Sequence, residues 1–375
     1  MLQTKKVPVC APLLGGREVE LVTECIRSSW ISSVGPYVQE FERQFSKFCE
    51  TTHGVTTNSG TTALHLALAA LRIGKGDEVI LPTFTMIASI NAIEYTGAAA
   101  VLIDADPHTW NMDVSLMREK VSEKTRAIMP VHIYGHPTDM GPVIELADEH
   151  DLRVVEDAAE AHGALYKGRK AGSMGDVGSF SFYSNKIITT GEGGMNVTND
   201  LELAERMRWL RAHAFGREGK HFWHEELGYG YRMTSLQAAV GLAQMEKIDE
   251  MVRRRIEHAH LYNELLSDLS KKEITMPPET KWGKNVYWMY SILLNDSSKR
   301  DSLMTWLDKR GIETRTFFYP IHHQPYYANR YRQQEFPVAD DLSKRGINLP
   351  SGNGLTEEEI RYVSNSVIEF FQKHR

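Results

Sequence analysis

Between about residue 54 and residue 199 the chain alternates short apolar runs with longer stretches of mixed polarity. EVILP (78–82), AAAVLID (98–104), RAIMPVHIYG (126–135), LRVVEDA (152–158), VGSFSFYS (177–184) and GGMNVTN (193–199) predict strands. Several are nearly continuous in apolar residues, the pattern of strands covered on both faces. Between them TALHLALAALRI (62–73) and MGPVIELADEH (140–150) predict helices. Strand and helix in alternation predict the α/β class, with a mostly parallel sheet flanked by helices.

The pattern then changes. Ser235 to Leu269 predicts one long helix or two joined ones, with Leu236, Ala239, Val240, Ala243 and Ile248 at helical spacing. The basic run Arg253–Arg255 within it is expected to be a solvated helix face. VYWMYSILL (286–294), a helix over MTWLDKRGI (304–312) and a C-terminal helix from Thr356 predict a small α+β domain. The expected division is a large domain over 1–250 and a small one over 251–375.

Composition narrows the function classes. A chain of 375 residues, 42% apolar and 25% charged, buries a large core without disulfides or a structural metal. A net charge of −6 gives no basic face for nucleic acid. The three cysteines, Cys10, Cys25 and Cys49, match no zinc or disulfide spacing and read as reduced thiols of a cytoplasmic protein. The N-terminus lacks the apolar stretch of a signal peptide. The run Met86 to Asp104 is interrupted by Ser89, Asn91, Glu94, Thr96 and Gly97, so no membrane span is expected.

Three segments carry candidate chemistry. Asn58-Ser59-Gly60-Thr61-Thr62 opens an Ala/Leu-rich helix. It is an ordinary N-cap or a phosphate cradle made from free helical amides. In VVEDAAEAHG a buried strand ends at Asp157, either capping the next helix or pairing with a cationic ring nitrogen. Most specific is GSFSFYSNK followed by TTGEGG, a strand entering a polar loop with one lysine, Lys186. A lysine that forms an imine must lose its proton, which burial and nearby cations promote. His132 and His136 have no accompanying ligand set, so no metal is expected. His322 and His323 follow Tyr319-Pro320 in a loop, as a substrate contact or a solvated turn.

FSFYSNKIITTGEGG, VVEDAAEAHGA, NSGTTALHLAL, VHIYGHPTDM, GYGYRMTSLQAAVGL and GIETRTFFYPIH together resemble the DegT/StrS-type sugar aminotransferases, over nearly the whole chain. The resemblance implies the aspartate-aminotransferase fold (fold type I): a large domain with a seven-stranded mixed sheet, and a smaller C-terminal domain. It implies homodimers with active sites at the interface, and pyridoxal 5′-phosphate as cofactor. By matching positions, Lys186 would hold the cofactor covalently and shuttle protons, and Asp157 would bond the ring nitrogen. Ser181 would bind the phosphate with the amides of Gly60 and Thr61, and Glu160 would lie near the ring. Segment Gly228 to Met233, through Arg232, would reach the neighbouring subunit's phosphate. Two positions depart from the family pattern: Met86 replaces an aromatic residue that stacks on the ring, and Gly230 replaces Asn.

The implied reaction moves an amino group from L-glutamate to a nucleotide-linked keto sugar. WISSVGPYVQEFE and IETRTFFYPIH are most similar to the branch that makes GDP-perosamine from GDP-4-keto-6-deoxymannose, a step of O-antigen biosynthesis. Arg315, Tyr319 and His322 are the residues expected at the substrate, with Phe317 to Tyr319 as an apolar wall. Alternatively, Phe317 to Tyr319 pack the small domain's core and Arg315 pairs with an acid. The competing activities are amination of a UDP- or dTDP-linked 3- or 4-keto sugar, sugar dehydration, and a non-catalytic regulator that keeps the pocket as a sensor. Relatives that dehydrate typically lack the lysine.

Overall fold

The computed structural model describes residues 6–216 and 222–374. A seven-stranded sheet runs in the spatial order His53–Thr57, Gly194–Thr198, Val177–Ser181, Arg153–Asp157, Thr125–Ile128, Glu78–Pro82, Ala99–Ile103. The five strands from Val177–Ser181 to Ala99–Ile103 pair in parallel, while Gly194–Thr198 and His53–Thr57 pair antiparallel at one edge. All six expected strands lie in this sheet. The run 126–135 leaves the regular ladder after Ile128, keeps a bridge from Val131 to Asp157 and a bond from the Met129 amide to Ile80 O (2.7 Å), and turns through a short helix at Ile133–Gly135. There the amides of Ile133 and Tyr134 donate to side chains, Asn111 and Glu160, instead of a neighbouring strand.

Strand polarity brings chemistry to one edge. Asp157 ends its strand opposite Ser179 of the adjacent parallel strand, two residues before Ser181. Helix Gly60–Ala70 leaves the same edge, buries most of its surface, and is capped by Ser59.

Expected helix 235–269 is two helices, Ser235–Met245 and Ile248–Leu265. The second spans both apolar clusters. Ile248, Met251 and Val252 pack in the main core, and Ala259 and Tyr262 pack under a second, four-stranded antiparallel sheet. The expected division at residue 250 thus falls inside one helix. Val7 also packs in the second core and bridges to Ile312, although it lies in the segment assigned to the large domain. Helices Arg300–Asp308 and Glu357–Lys373, the latter capped by Thr356, cover the second sheet.

The expected solvated face Arg253–Arg255 is corrected at one residue. Arg253 is exposed, but Arg255 is 2% exposed and donates to Asn353 Oδ1 (2.9 Å), Trp288 O (2.8 Å) and Ser351 O. Helical spacing puts it on the buried stripe with Met251, Ala259 and Tyr262, and a run of three charges hides which one faces inward. Among the described residues no helix is long and apolar enough to cross a membrane.

Candidate active site

Lys186 sits in the loop that follows strand Val177–Ser181. Buried donors from distant segments hold its backbone. Asn185 O accepts from Trp288 Nε1 (2.8 Å) and Cys10 Sγ (3.0 Å), and Ile187 O accepts from Asn353 Nδ2 (2.9 Å). The Lys186 side chain is 10% exposed, with Nζ 3.8 Å from Glu160 Oε1. Nζ also lies 3.8 Å from the centre of the Trp288 ring. Burial lowers the lysine's pKa, and the Arg315 charge adds to this, while Glu160 and Asp157 oppose it.

Both acids are buried. Glu160 Oε2 accepts from the Tyr134 amide at 2.8 Å. Burial pushes the Glu160 carboxyl up to about 7, against the pull of Lys186. Asp157 accepts from Ser89 Oγ (2.7 Å) and the Ala159 amide (3.2 Å). Burial raises its pKa, against the pull of these two hydrogen bonds and of the Lys186 charge.

A third group completes the edge. In the Ser59 capping box the cap oxygen takes the Thr62 amide, which leaves the Gly60 and Thr61 amides at the open end of the helix. A Cβ at Gly60 would lie 2.7 Å from Ser181 Cβ and 3.1 Å from its Oγ, so only glycine lets the helix end approach that hydroxyl. These donors suit a phosphate, Asp157 suits a cationic ring nitrogen, and Lys186 suits a reactive amine. The residues present therefore fit pyridoxal phosphate.

The other expected residues divide. Met86 is half-exposed in the loop three residues before Ser89, and its thioether accepts the Ala88 amide (3.0 Å). Arg232 lies near His213 Nε2 (3.3 Å), while the adjacent Tyr231 O accepts the Asn58 amide (2.9 Å) just before the Ser59 cap. Arg315 is exposed and has no ion-pair partner among the described residues, so the expected alternative of pairing with an acid does not occur. Tyr319 is exposed.

His322 does not join them. One ring nitrogen meets Thr83 Oγ1 (2.8 Å) and the other Asp340 Oδ1 (2.9 Å), leaving none for a substrate. Phe317 is buried against Phe84, Trp110 and Tyr134. It therefore packs the main core, and neither lines a sugar site nor fills the small domain's core, because its segment crosses to Thr83 through the Ile321 amide (2.8 Å). His132 is fully engaged by Glu156 (3.0 Å) and the Thr138 amide (3.0 Å), and His136 by Asn111 and Thr280. Trp288, Ser89, Tyr134 and Arg255 carry the site's framework and escape motif reading. Ser89 sits in a helix of mixed polarity and Trp288 in an apolar run, with no local signal to mark either.

The fold and this constellation define a pyridoxal-phosphate aminotransferase of fold type I. Residues 12–368 match the DegT/DnrJ/EryC1/StrS aminotransferase family. The chain is 46% identical to the GDP-perosamine synthase of Escherichia coli O157:H7, over 98% of this chain and 99% of that one. It is also 46% identical to the GDP-perosamine synthase of Caulobacter vibrioides, over 97% and 98%. Among solved structures, the pyridoxal-phosphate form of the putative sugar aminotransferase Spr1654 from Streptococcus pneumoniae superposes with a TM-score of 0.92 at 27% identity, covering 98% of this chain and 99% of that one. The chain belongs to the DegT/DnrJ/EryC1/StrS aminotransferase family. Its cofactor is pyridoxal 5′-phosphate and its activity is that of a sugar aminotransferase.

Proposed function

We propose that the enzyme transfers the amino group of L-glutamate to C4 of GDP-4-keto-6-deoxymannose, forming GDP-perosamine in the cytoplasm. The observation that carries the aminotransfer is the buried Lys186 amine, 3.8 Å from Glu160, on the sheet edge that also bears Asp157. The sugar is supported by the full-length likeness to two GDP-perosamine synthases. Bound pyridoxal phosphate supplies an electron sink for the pair left when a Cα–H bond breaks. The Gly60 and Thr61 amides and the Ser181 hydroxyl hold its phosphate. Asp157 keeps the ring nitrogen protonated. Lys186 Nζ anchors the group, then takes the Cα proton of glutamate, and in the second half-reaction delivers one to C4 of the sugar. Relatives that dehydrate typically lack this lysine, which favours aminotransfer.

The working unit in this reading is a homodimer in which Arg232 serves the partner's phosphate site. Mixing Lys186→Ala chains with Arg232→Ala chains should restore one working site per heterodimer. The substrate test supplies glutamate with GDP-, UDP- and dTDP-linked keto sugars in parallel. Fastest turnover is expected with the GDP sugar, and faster turnover of a UDP or dTDP sugar overturns the assignment.

A further inference from the structure

Two chain segments lead away from the active site and meet again at its rim. One runs from Met86 into helix Ala88–Thr96, whose Ser89 holds Asp157. The other runs from Arg315, whose charge reaches Lys186, past exposed Tyr319 to Tyr327. They are tied together by the Ile321 amide on Thr83 O (2.8 Å), by Tyr327 OH on Asn91 Oδ1 (2.8 Å) and by the Arg330–Glu94 ion pair. Between them opens a cleft of about 570 Å³ lined by Asn91, Glu94, Tyr95, Gln324, Tyr326 and Tyr327. That volume is in the range of small-molecule sites.

The polar atoms left over in this cleft form a pattern. Asn91 spends its carbonyl on Tyr327, so its amide NH₂ is a donor without a partner among the described residues. Glu94 spends Oε1 on Arg330, which leaves Oε2 as an acceptor held by a fixed cation. Gln324 spends its NH₂ on Tyr319 O (3.1 Å), which leaves its carbonyl as a second acceptor. Each of these side chains thus presents one unpaired function, in the set donor, acceptor, acceptor. Guanine presents the complement on its pairing edge: the O6 acceptor, then the N1–H and N2–H donors. Uracil and thymine present one donor between two acceptors, and would set an acceptor against an acceptor. Tyr95 and Tyr326 are exposed at the rim and offer faces on which a flat base stacks.

We infer that this cleft is the guanine pocket of the enzyme, with Glu94 reading N2–H, Gln324 reading N1–H, Asn91 reading O6, and Tyr326 stacking on the ring. The inference rests on the GDP-sugar reading and deepens it. The diphosphate then spans from the cleft to Arg315, and the sugar reaches Lys186.

The test uses GDP and IDP as competitive inhibitors of the holoenzyme, since hypoxanthine lacks the N2 amine. The wild type should bind GDP roughly tenfold or more tightly than IDP, the effect of one hydrogen bond to a charged group. Glu94→Gln should raise the GDP inhibition constant and the KM for the GDP sugar by a similar factor, bring the GDP-to-IDP ratio towards one, and leave kcat nearly unchanged. Tyr326→Ala, at a side chain too exposed to threaten folding, should weaken GDP and IDP equally. Unchanged GDP constants in both variants, with the GDP sugar still preferred, overturn the pocket alone. A wild-type preference for UDP- or dTDP-linked sugars overturns both the GDP reading and the pocket. If Tyr326→Ala alters sedimentation and leaves inhibition unchanged, the face is an interface between copies and the proposal falls.

Discussion

The amine of Lys186 stands 3.8 Å from Glu160 Oε1, with the two side chains only 10% and 6% exposed. Burial lowers the lysine's pKa and lifts the glutamic acid to about 7, while each charge sustains the other. The carboxylate, ionised above about 7, therefore delays loss of the lysine's proton. Glu160→Gln removes that anion. The pH midpoint for cofactor uptake by the apoenzyme, followed by visible absorbance, is expected to move to lower pH. A midpoint that stays in place or rises counts against the coupling.

Lys186→Ala is expected to abolish turnover and leave cofactor binding measurable by equilibrium dialysis. In the proposed reading the Gly60 helix end, Ser181 and Asp157 would hold the phosphate and ring without help from the amine. Full transamination by the variant would refute the role given to this lysine.

Arg315 is exposed, lacks an ion-pair partner among the described residues, and carries a charge felt at Lys186. A planar guanidinium in that position suits phosphate oxygens. Arg315→Ala should raise KM for the sugar nucleotide roughly tenfold, with kcat changed far less, because ground-state binding is lost and the chemistry is not. Steady-state kinetics with the glutamate half held saturating separate the two. A fall in kcat at constant KM would place Arg315 in the chemical step instead.

How much of this was legible in the sequence depended on the range of the signal. The sheet's central strands announce themselves as apolar runs, and Lys186 and Asp157 lie at the ends of such runs, so local pattern reaches them. Edge strand His53–Thr57 carries two threonines, a histidine and a glycine, and has no such run. Arg255 is invisible for another reason: its burial depends on carbonyls at Trp288 and Ser351, far away in the chain. His322 misleads because a histidine in a polar loop reads the same whether its partners are Thr83 and Asp340 or a substrate. Trp288 and Ser89 reach the site from segments with no local signal and are found only once the chain is folded.

Arg255 joins elements that also hold the Lys186 loop. It donates to Asn353 Oδ1 and Trp288 O, and those two residues in turn donate to Ile187 O and Asn185 O. Arg255→Ala strands several buried acceptors and is expected to cost about 2–3 kcal/mol in denaturant unfolding. Arg255→Lys should recover only part of this, since an ammonium cannot reproduce the planar fork. A loss below about 1 kcal/mol for the alanine variant would mean that water replaces the arginine without penalty.

His162 sets an acid limit on stability. Its ring is fully buried among Phe45, Phe180 and Phe182, and neither nitrogen makes a well-formed hydrogen bond among the described residues, the Ser181 backbone giving only a weak counter-pull. Burial, aided by the nearby Lys186 charge, lowers its pKa to about 3. The unfolded chain takes a proton near the ordinary value of 6.5 and the folded chain refuses it, so stability is full above pH 6.5 and falls as pH drops towards 3. At pH 5 the loss from this one ring should be about 2 kcal/mol. His162→Phe fills the same aromatic nest with a ring that does not titrate. Any packing penalty of the larger ring is common to both pH values and cancels in the comparison. Urea unfolding at pH 7.5 and pH 5 should therefore show the variant gaining about 2 kcal/mol on the wild type between the two conditions. Parallel losses in the two proteins would show that His162 is protonated in the folded state.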